Sequence, residues 1–269
     1  MMRILLAVLL ALGVPSGEAH AQEGWTFSLT PYLWLPNVNG TLKYAIPPDS
    51  GARPEVETGP NSYLENLSFA LMLAGEARKG RWSMFTDLIY LDFDGEKSAV
   101  KAVNFGGERI GTTLDASTKS SLTGVAWTFG GGYAALREPK HTLDVLGGAR
   151  YFGLKVSSDW QLGAALSGPT GQVFAQSGSI SQREDLWDVI VGARGRLKLG
   201  EGSWFLPYYA DAGTGSSALT AQALAGIGYA FKWGEVLATY RYVYYDLEGD
   251  GLLQDVRFAG PAFGATFRF

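Results

Sequence analysis

The chain has 269 residues, a formal net charge of −4 and no cysteine; charged residues make up only 18% of it, aromatic residues 13%, and 36 positions are glycine. Without a basic excess, the chain lacks the main source of affinity for a phosphate backbone, so we expect no nucleic acid among its partners. The lack of cysteine excludes disulfide cross-links and a lipid-modified N-terminal cysteine.

The first residues have the pattern of a secretory signal peptide. Met1-Met2-Arg3 gives a short positive start, residues 4–14 are apolar apart from one glycine, and Ala19-His20-Ala21 fits a small-x-small cleavage site. The apolar run is about half of the roughly 20 residues that a membrane anchor needs. We therefore predict that residues 1–21 are a signal peptide removed on export, and that residues 22–269 form one mature domain.

Alternation of apolar with small or polar residues runs through nearly all of the remaining chain. Most of the alternating segments have about 10 residues or more, the length that a tilted strand needs to cross a bilayer, whereas strands in soluble proteins average about 5 to 6. The ten predicted strands are 25–35, 66–78, 82–94, 119–135, 141–156, 184–199, 204–213, 219–232, 236–246 and 256–269.

The connections between these segments alternate in length. Tight turns with glycine or proline are predicted at 78–81, 137–140, 199–203 and 232–235. Long loops are predicted at 36–65, 95–118, 157–183 and 247–255, with only 214–218 short on that side. Short turns at one rim and long loops at the other are typical of bacterial outer-membrane barrels, whose short turns are periplasmic.

The two faces of the predicted strands differ in a way that favours a bilayer. In the strand at 184–199, Trp187, Val189 and Val191 alternate with Asp188 and Arg194. If the polar face formed a soluble core, the aromatic and aliphatic row would face water. Aromatic residues also concentrate near the strand ends, as in the two lipid-interface belts of such barrels: Trp82, Trp204, Tyr229, Phe231, Trp233 and Phe267 near the short turns, and Trp34, Tyr90, Trp187 and Tyr244 toward the long loops.

Several segments resemble a known family: "TPYLWLPNVNGTL", "WSMFTDLIYLDF", "DVIVGARGRLKL", "WFLPYYADAGTG", "ALAGIGYAFKWGE", "YRYVYY" and the terminal "FGATFRF". Together they are similar to small proteobacterial outer-membrane β-barrel proteins of largely uncharacterised function. The resemblance implies that the terminal aromatic, here Phe269, serves as the assembly signal, and that the barrel-assembly machinery and periplasmic chaperones are partners during biogenesis.

The expected fold is therefore all-β: a transmembrane antiparallel up-and-down β-barrel, most simply of ten strands, with eight or twelve as alternatives. The expected location is the bacterial outer membrane, with outer-membrane lipid and lipopolysaccharide as surroundings. Alternation points a row of charged side chains into the lumen: Arg150, Arg194, Arg196, Arg241 and Arg268, with Asp144, Asp188 and Asp211 as partners and Asp87 as a less certain one.

Two functions of that lumen stay open. Paired arginine and aspartate can cross-link a packed interior, which makes the protein a structural or surface barrel. The same arginines can instead line a narrow passive channel for small solutes, with a mild preference for anions. The long external loops offer an alternative, a binding protein for adhesion or partner recognition.

An enzyme is not expected, because only His141 remains after cleavage and it lies at a short turn, away from the outer rim. We predict no cofactor and no metal. A weak calcium-loop candidate is Asp246, Glu248 and Asp250, but Arg257 occupies the position of the bidentate glutamate.

Overall fold

The alternating segments form long antiparallel strands. The computed structural model of the chain describes residues 24–42, 55–95, 115–165, 173–247 and 253–269. The strands are β1 (Thr26–Trp34), β2 (Asn37–Leu42), β3 (Glu55–Thr58), β4 (Leu67–Lys79), β5 (Trp82–Gly95), β6 (Asp115–Arg137), β7 (His141–Ala165), β8 (Val173–Lys198), β9 (Trp204–Gly215), β10 (Leu219–Ala230), β11 (Gly234–Asp246) and β12 (Leu253–Arg268). A short helix α1 (Pro60–Tyr63) and a 3-10 turn (Leu64–Asn66) precede β4. The predicted signal peptide lies outside the described residues.

Ten of the strands close into a barrel. From β4 to β12 each strand pairs antiparallel with the next one along the chain, while β1 pairs with both β4 and β12. Two reciprocal backbone hydrogen bonds join the ends of the ring: Phe27 N–H donates to Phe269 O at 2.9 Å, and Phe269 N–H donates to Phe27 O at 3.0 Å. The expected all-β, transmembrane up-and-down barrel is confirmed, with ten strands in the ring.

The first barrel strand is broken toward its long-loop end. After Trp34 the chain continues through Leu35 and Pro36 into β2, which stays paired with β12. β3 pairs with the other edge of β2, so this edge does not face β4.

The pairing between β1 and β4 stops three residues before this break. Its last register pair is Pro31 with Leu73. Beyond it, the Trp34 N–H donates to the thioether sulfur of Met72 at 3.1 Å, where a regular sheet would offer a carbonyl. We call this interruption of the barrel wall, between residues 34–36 on one side and 67–72 on the other, the seam.

Two of the long connections contain more regular structure than the sequence predicts. The segment 36–65 contains β2, β3 and α1, and the segment 157–183 is mostly a continuation of the β7–β8 hairpin, paired from Ser157↔Ser181 to Ala165↔Val173. The prediction of a long loop at 157–183 is wrong for these residues. An antiparallel ladder can extend past the bilayer into water, where one face need not be apolar, so hydrophobic alternation does not mark it.

The outward face of the barrel is apolar and its short-turn end carries a row of aromatic rings in contact with one another. Neighbouring rings lie 4.9 Å apart for Trp204 and Tyr229, 4.6 Å for Tyr229 and Phe231, and 5.5 Å for Phe231 and Trp233. Trp34 does not belong to the other belt, contrary to the sequence prediction. Because β1 alternates with Leu33 outward, Trp34 points inward, where it is buried and its Nε1 donates to Gly260 O at 3.2 Å.

Interior glycines let β6 and β7 come close together. A Cβ on Gly148 would lie 2.1 Å from the carbonyl oxygen of Phe129, closer than any real contact. The next residue, Gly147, faces outward with room for a methyl group, since a Cβ there would lie 3.8 Å from its nearest neighbour. Of these two adjacent positions, therefore, only the inward one requires glycine.

Candidate functional site: the barrel interior

The inward side chains form layers, and the first layer, near the short turns, is an ion-pair cluster. Arg78 Nε lies 2.7 Å from Glu76 Oε1, and Arg194 Nη2 lies 2.8 Å from Glu76 Oε2. Asp144 pairs with Arg78 and also lies 3.6 Å from Arg194 Nε. Because β4 is not a neighbour of β7 or β8 in the ring, the Arg78–Asp144 and Arg194–Glu76 pairs cross the lumen, and the two positive and two negative charges cancel.

A second charged group lies at the short-turn rim itself. Glu235, the second residue of β11, is buried and pairs with both Arg196 and Arg268, the latter at 2.5 Å. The two arginine side chains are 42% and 48% exposed, so they open toward water at this rim. Arg196 and Arg268 thus lie at the mouth of the barrel and not in its middle.

An apolar layer separates the charged cluster from the middle of the barrel. It consists of Phe85, Leu146 and Ile190, with Tyr209 packed against them. The guanidinium of Arg194 lies over the Phe85 ring at 5.0 Å, which joins this layer to the cluster below.

The middle of the barrel is closed by a polar layer centred on Arg150, which is 1% exposed. Its Nη2 lies 2.5 Å from Asp211 Oδ2 and donates to Gln222 Oε1 at 3.1 Å. Its Nη1 donates to Thr220 at 2.9 Å, and its Nε donates to Thr128 at 3.2 Å. All three nitrogens of this guanidinium donate hydrogen bonds, and the partners come from β6, β9 and β10.

Arg241 continues the same layer toward β1 and β5. Its Nη1 lies 2.9 Å from Asp87 Oδ2 and donates to Tyr32 Oη at 3.0 Å, while Tyr32 donates to Asp87 at 2.5 Å. Its Nη2 donates at 3.0 Å to Gln222, whose amide oxygen therefore joins the two arginines. We call Tyr32, Asp87, Arg150, Asp211, Gln222 and Arg241 the central layer; it holds two arginines and two aspartates.

Asp188 is buried beside this layer, but its carboxylate binds a residue outside the layer. It faces Arg150 across the β7–β8 register, yet its carboxylate accepts hydrogen bonds from Ser217 N–H at 2.8 Å and from Ser217 Oγ at 2.9 Å. Asp188 therefore holds the short connection between β9 and β10 over the edge of the barrel.

Some residues of these layers do not appear among the sequence-predicted candidates. Glu76 and Arg78 share the inward parity of β4, so alternation could have identified them. Glu235 was assigned to the turn at 232–235 but is a strand residue. Tyr32 and Gln222 carry no charge, and their role depends on partners across the barrel, for which a local pattern holds no signal.

The long-loop half of the interior is apolar and contains a cavity of about 310 Å³. Its walls include the buried side chains of Trp34, Met72, Ile89, Val243 and Tyr245. Arg150, Gln222 and Arg241 of the central layer form its polar floor. The row of inward arginines suggested a polar lumen, but this half of the interior is apolar.

The seam forms one side of this cavity, because Leu35 and Pro36 line it together with Leu67, Ala70 and Met72. Tyr63 of α1 covers the same side. Its hydroxyl donates to Pro36 O at 2.9 Å and its ring meets Phe93 edge-on at 6.0 Å. Burial raises the pKa of Tyr63 to about 12, so it remains a neutral hydrogen-bond donor at physiological pH.

The remaining site predictions have simple outcomes. Asp246 ends β11 opposite Asp255, whereas Glu248 and Asp250 of the calcium-loop candidate lie outside the described residues. Within the described ranges, no three metal-ligating side chains come together. His141 begins β7, and its Nε2 lies 2.8 Å from Tyr208 Oη. No helix of the described part is long and apolar enough to span a membrane.

No known protein family and no curated protein matches the sequence. Solved structures with a similar fold include the outer membrane protease OmpT of Escherichia coli, at 9% identity and a TM-score of 0.48 over 94% of this chain and 99% of that one. The attachment invasion locus protein Ail of Yersinia pestis is 14% identical, with a TM-score of 0.34 over 92% of this chain and 100% of that one. The toluene transporter TodX of Pseudomonas putida is 12% identical, with a TM-score of 0.34 over 92% and 90%. At these identities the likeness concerns the fold alone.

Proposed function

We propose that the protein resides in the bacterial outer membrane and acts as a structural or surface barrel whose lumen is closed by its own side chains. The observation that carries this proposal is the central layer. Its six side chains come from β1, β5, β7, β9, β10 and β11 and hydrogen-bond to one another across the ring. Membership of the small proteobacterial barrels and cleavage of residues 1–21 are parts of the same proposal.

Energetics favours closure over conduction. A hydrated ion would have to separate buried pairs, and removing one member of such a pair costs about 3–5 kcal/mol. The neighbouring apolar layer of Phe85, Leu146 and Ile190 adds a dry constriction on the short-turn side, and hydrophobic constrictions close pores by excluding water. The narrow passive channel is therefore the weaker of the two lumen hypotheses.

The test is the single-channel conductance of refolded residues 22–269 in a planar bilayer at high salt. We expect no discrete steps from the wild type. The variant Arg150→Ala/Asp211→Ala/Ile190→Ala, which removes one pair of the central layer without leaving a lone charge and also shortens a side chain of the apolar constriction, should conduct. The variant Arg268→Ala changes only the rim and should remain silent.

One outcome would overturn closure in favour of the channel: reproducible wild-type steps with anion preference that is lost when Arg194 and Arg241 are neutralised. Heat-modifiable migration in gels establishes that each variant is folded before it is scored.

The β7–β8 hairpin favours a second candidate, recognition of a partner at the cell surface. β7 has 25 residues and β8 has 26, whereas β9 and β10, which cross the same wall, have 12 each. The excess length places a paired ribbon of β7 and β8 beyond the long-loop rim, where residues 115–119 of β6 pair with the β7 edge of this ribbon. If it binds a surface partner, cells with the hairpin trimmed should lose adhesion while retaining the barrel; equal adhesion would reject this function.

We propose no catalytic role. His141 faces Tyr208 at the short-turn end, and Asp92, near the long-loop end of β5, accepts a hydrogen bond from Thr123 at 3.0 Å.

A further inference from the structure

The outer cavity has the size and lining of a small-molecule site. Its volume of about 310 Å³ lies at the lower end of the range for ligand pockets, which are mostly apolar with a few polar groups. The apolar walls come from strands on opposite sides of the ring and from the seam, while polar groups are confined to the floor. A ligand that fits would have an apolar body and one polar end.

The floor offers one hydrogen-bond donor that nothing in the described structure uses. Arg241 is 5% exposed, and both of its terminal nitrogens are engaged, but its Nε has no hydrogen-bond partner among the described residues. Leaving a buried donor unsatisfied costs about 1–3 kcal/mol. Arg241 lines the cavity, but its Nε itself has almost no accessible surface, so an acceptor atom on a ligand would reach it and relieve this cost only after a small shift of the Arg241 side chain.

The charge balance decides against an anionic ligand. Arg150 is matched by Asp211 and Arg241 by Asp87, at 2.5 Å and 2.9 Å. A carboxylate in the cavity would add an uncompensated buried charge next to Asp87. A neutral acceptor, such as a carbonyl or ether oxygen, does not carry that penalty.

The seam indicates where such a ligand comes from. Leu33 lies on the outward face of β1 and is 45% exposed, yet it lines the cavity together with Leu35 and Leu64. Since the β1–β4 ladder ends below this point, the cavity reaches the outer face of the wall between unpaired strands. That face is apolar, so the adjacent source is a molecule dissolved in lipid.

We propose that the outer half of the barrel is a binding site for a small, neutral, lipid-soluble molecule with an apolar body and one hydrogen-bond acceptor, which is held by the Nε–H of Arg241. This site lies above the central layer and does not require the barrel to conduct.

Three matched probes test the proposal: para-fluoroacetophenone, para-fluoroethylbenzene, which lacks the acceptor, and para-fluorobenzoate, which is charged. Their fluorine NMR signals are titrated against the protein in lipid nanodiscs, with empty nanodiscs measuring simple partitioning. We expect saturable binding of the ketone, about tenfold weaker binding of the ethyl analogue, corresponding to one lost hydrogen bond of about 1.4 kcal/mol, and no saturable binding of the benzoate.

Cavity-filling variants provide the controls. Ala126→Phe and Gly124→Leu both add volume at lining positions, and a Cβ at Gly124 would meet nothing closer than 4.0 Å, so at least one variant should fold. Each should weaken ketone binding at least tenfold, whereas Ala225→Phe on the outward face should not change it. The site is refuted if the wild type shows no binding beyond empty nanodiscs, or if folded filling variants bind as the wild type does. Equal binding of ketone and ethyl analogue would overturn the role of Arg241.

Discussion

At the scale of single residues, the interior depends on charges that are buried only in matched sets. Arg150 and Asp211 have side-chain exposures of 1% and 0% and lie 2.5 Å apart, so neither can be hydrated when the other is removed. At the rim, by contrast, Arg268 is half exposed and shares Glu235 with Arg196. An arginine–carboxylate ion pair should therefore contribute much more to the free energy of unfolding in the central layer than at the rim.

Asp211→Ala should lower the free energy of unfolding by about 3–5 kcal/mol, because it removes the carboxylate that forms the ion pair with the buried guanidinium of Arg150. Arg268→Ala should cost about 0–1 kcal/mol, since water replaces the lost pair. Urea unfolding in lipid vesicles, followed by tryptophan fluorescence, measures both. Equal losses would show that the central layer is hydrated and open.

Gly148→Ala should destabilise the barrel by about 1–3 kcal/mol, because its Cβ would overlap the Phe129 carbonyl and push β6 and β7 apart. The adjacent Gly147→Ala is the matched control and should be nearly neutral. The same urea titration applies. If the two substitutions have the same effect, close approach of the strands is not the reason for glycine at the inward position.

The sequence identifies which side chains point inward but not which of them meet. Parity along a strand places Arg150, Arg194 and Asp211 on the inner face, because strand side chains alternate strictly. Whether Arg241 pairs with Asp87 or Asp211 depends on the stagger of all strands around the ring, which no single segment encodes. The uncharged partners Tyr32 and Gln222 were missed for the same reason.

At the scale of elements, the ten strands behave unequally beyond the bilayer. β7 and β8 continue as a paired ribbon, whereas β1 breaks and its continuation turns to β12 and β3. Hydrophobic alternation predicts the spans because lipid imposes it there. It fails for the ribbon and for β2 and β3, where water or other strands impose no such pattern.

Replacing residues 159–179 by Asn-Gly should leave a folded barrel, because Ser158 and Ile180 are register partners that a two-residue turn can connect. The retained parts of β7 and β8 still exceed the length needed to cross the bilayer. We expect unchanged heat-modifiable migration and at most a small change in urea midpoint. Failure of the trimmed chain to fold would show that the ribbon nucleates the barrel.

At the scale of the whole molecule, polarity is inverted relative to a soluble barrel: the outside is apolar and the inside carries the charges. Val191 on the outer face of β8 is 67% exposed, whereas its inward neighbour Ile190 is fully buried. Such an arrangement is stable only if lipid covers the outer face.

Val191→Arg should therefore cost about 2–4 kcal/mol in lipid vesicles, as expected for a charge facing the middle of the bilayer. Leu199→Arg, which follows β8 at the short-turn rim, should cost about 0–1 kcal/mol, since the side chain reaches water there. Unfolding in vesicles measures the difference. Indistinguishable costs would mean that the outer face of β8 is in water, against the proposed location.

We expect the pairing of β1 with β12, which includes the reciprocal hydrogen bonds between Phe27 and Phe269, to form late during folding. From β4 to β12, each strand pairs with its neighbour along the chain, so these pairs can form early. The closing pair joins β1 and β12, the first and last strands of the ring, and therefore has the largest loop-closure entropy cost. Until β12 arrives, β1 presents an open edge that can pair with another chain. A polypeptide that lacks β12 is thus an aggregation hazard, and the pairing of β12 with β1 removes this open edge.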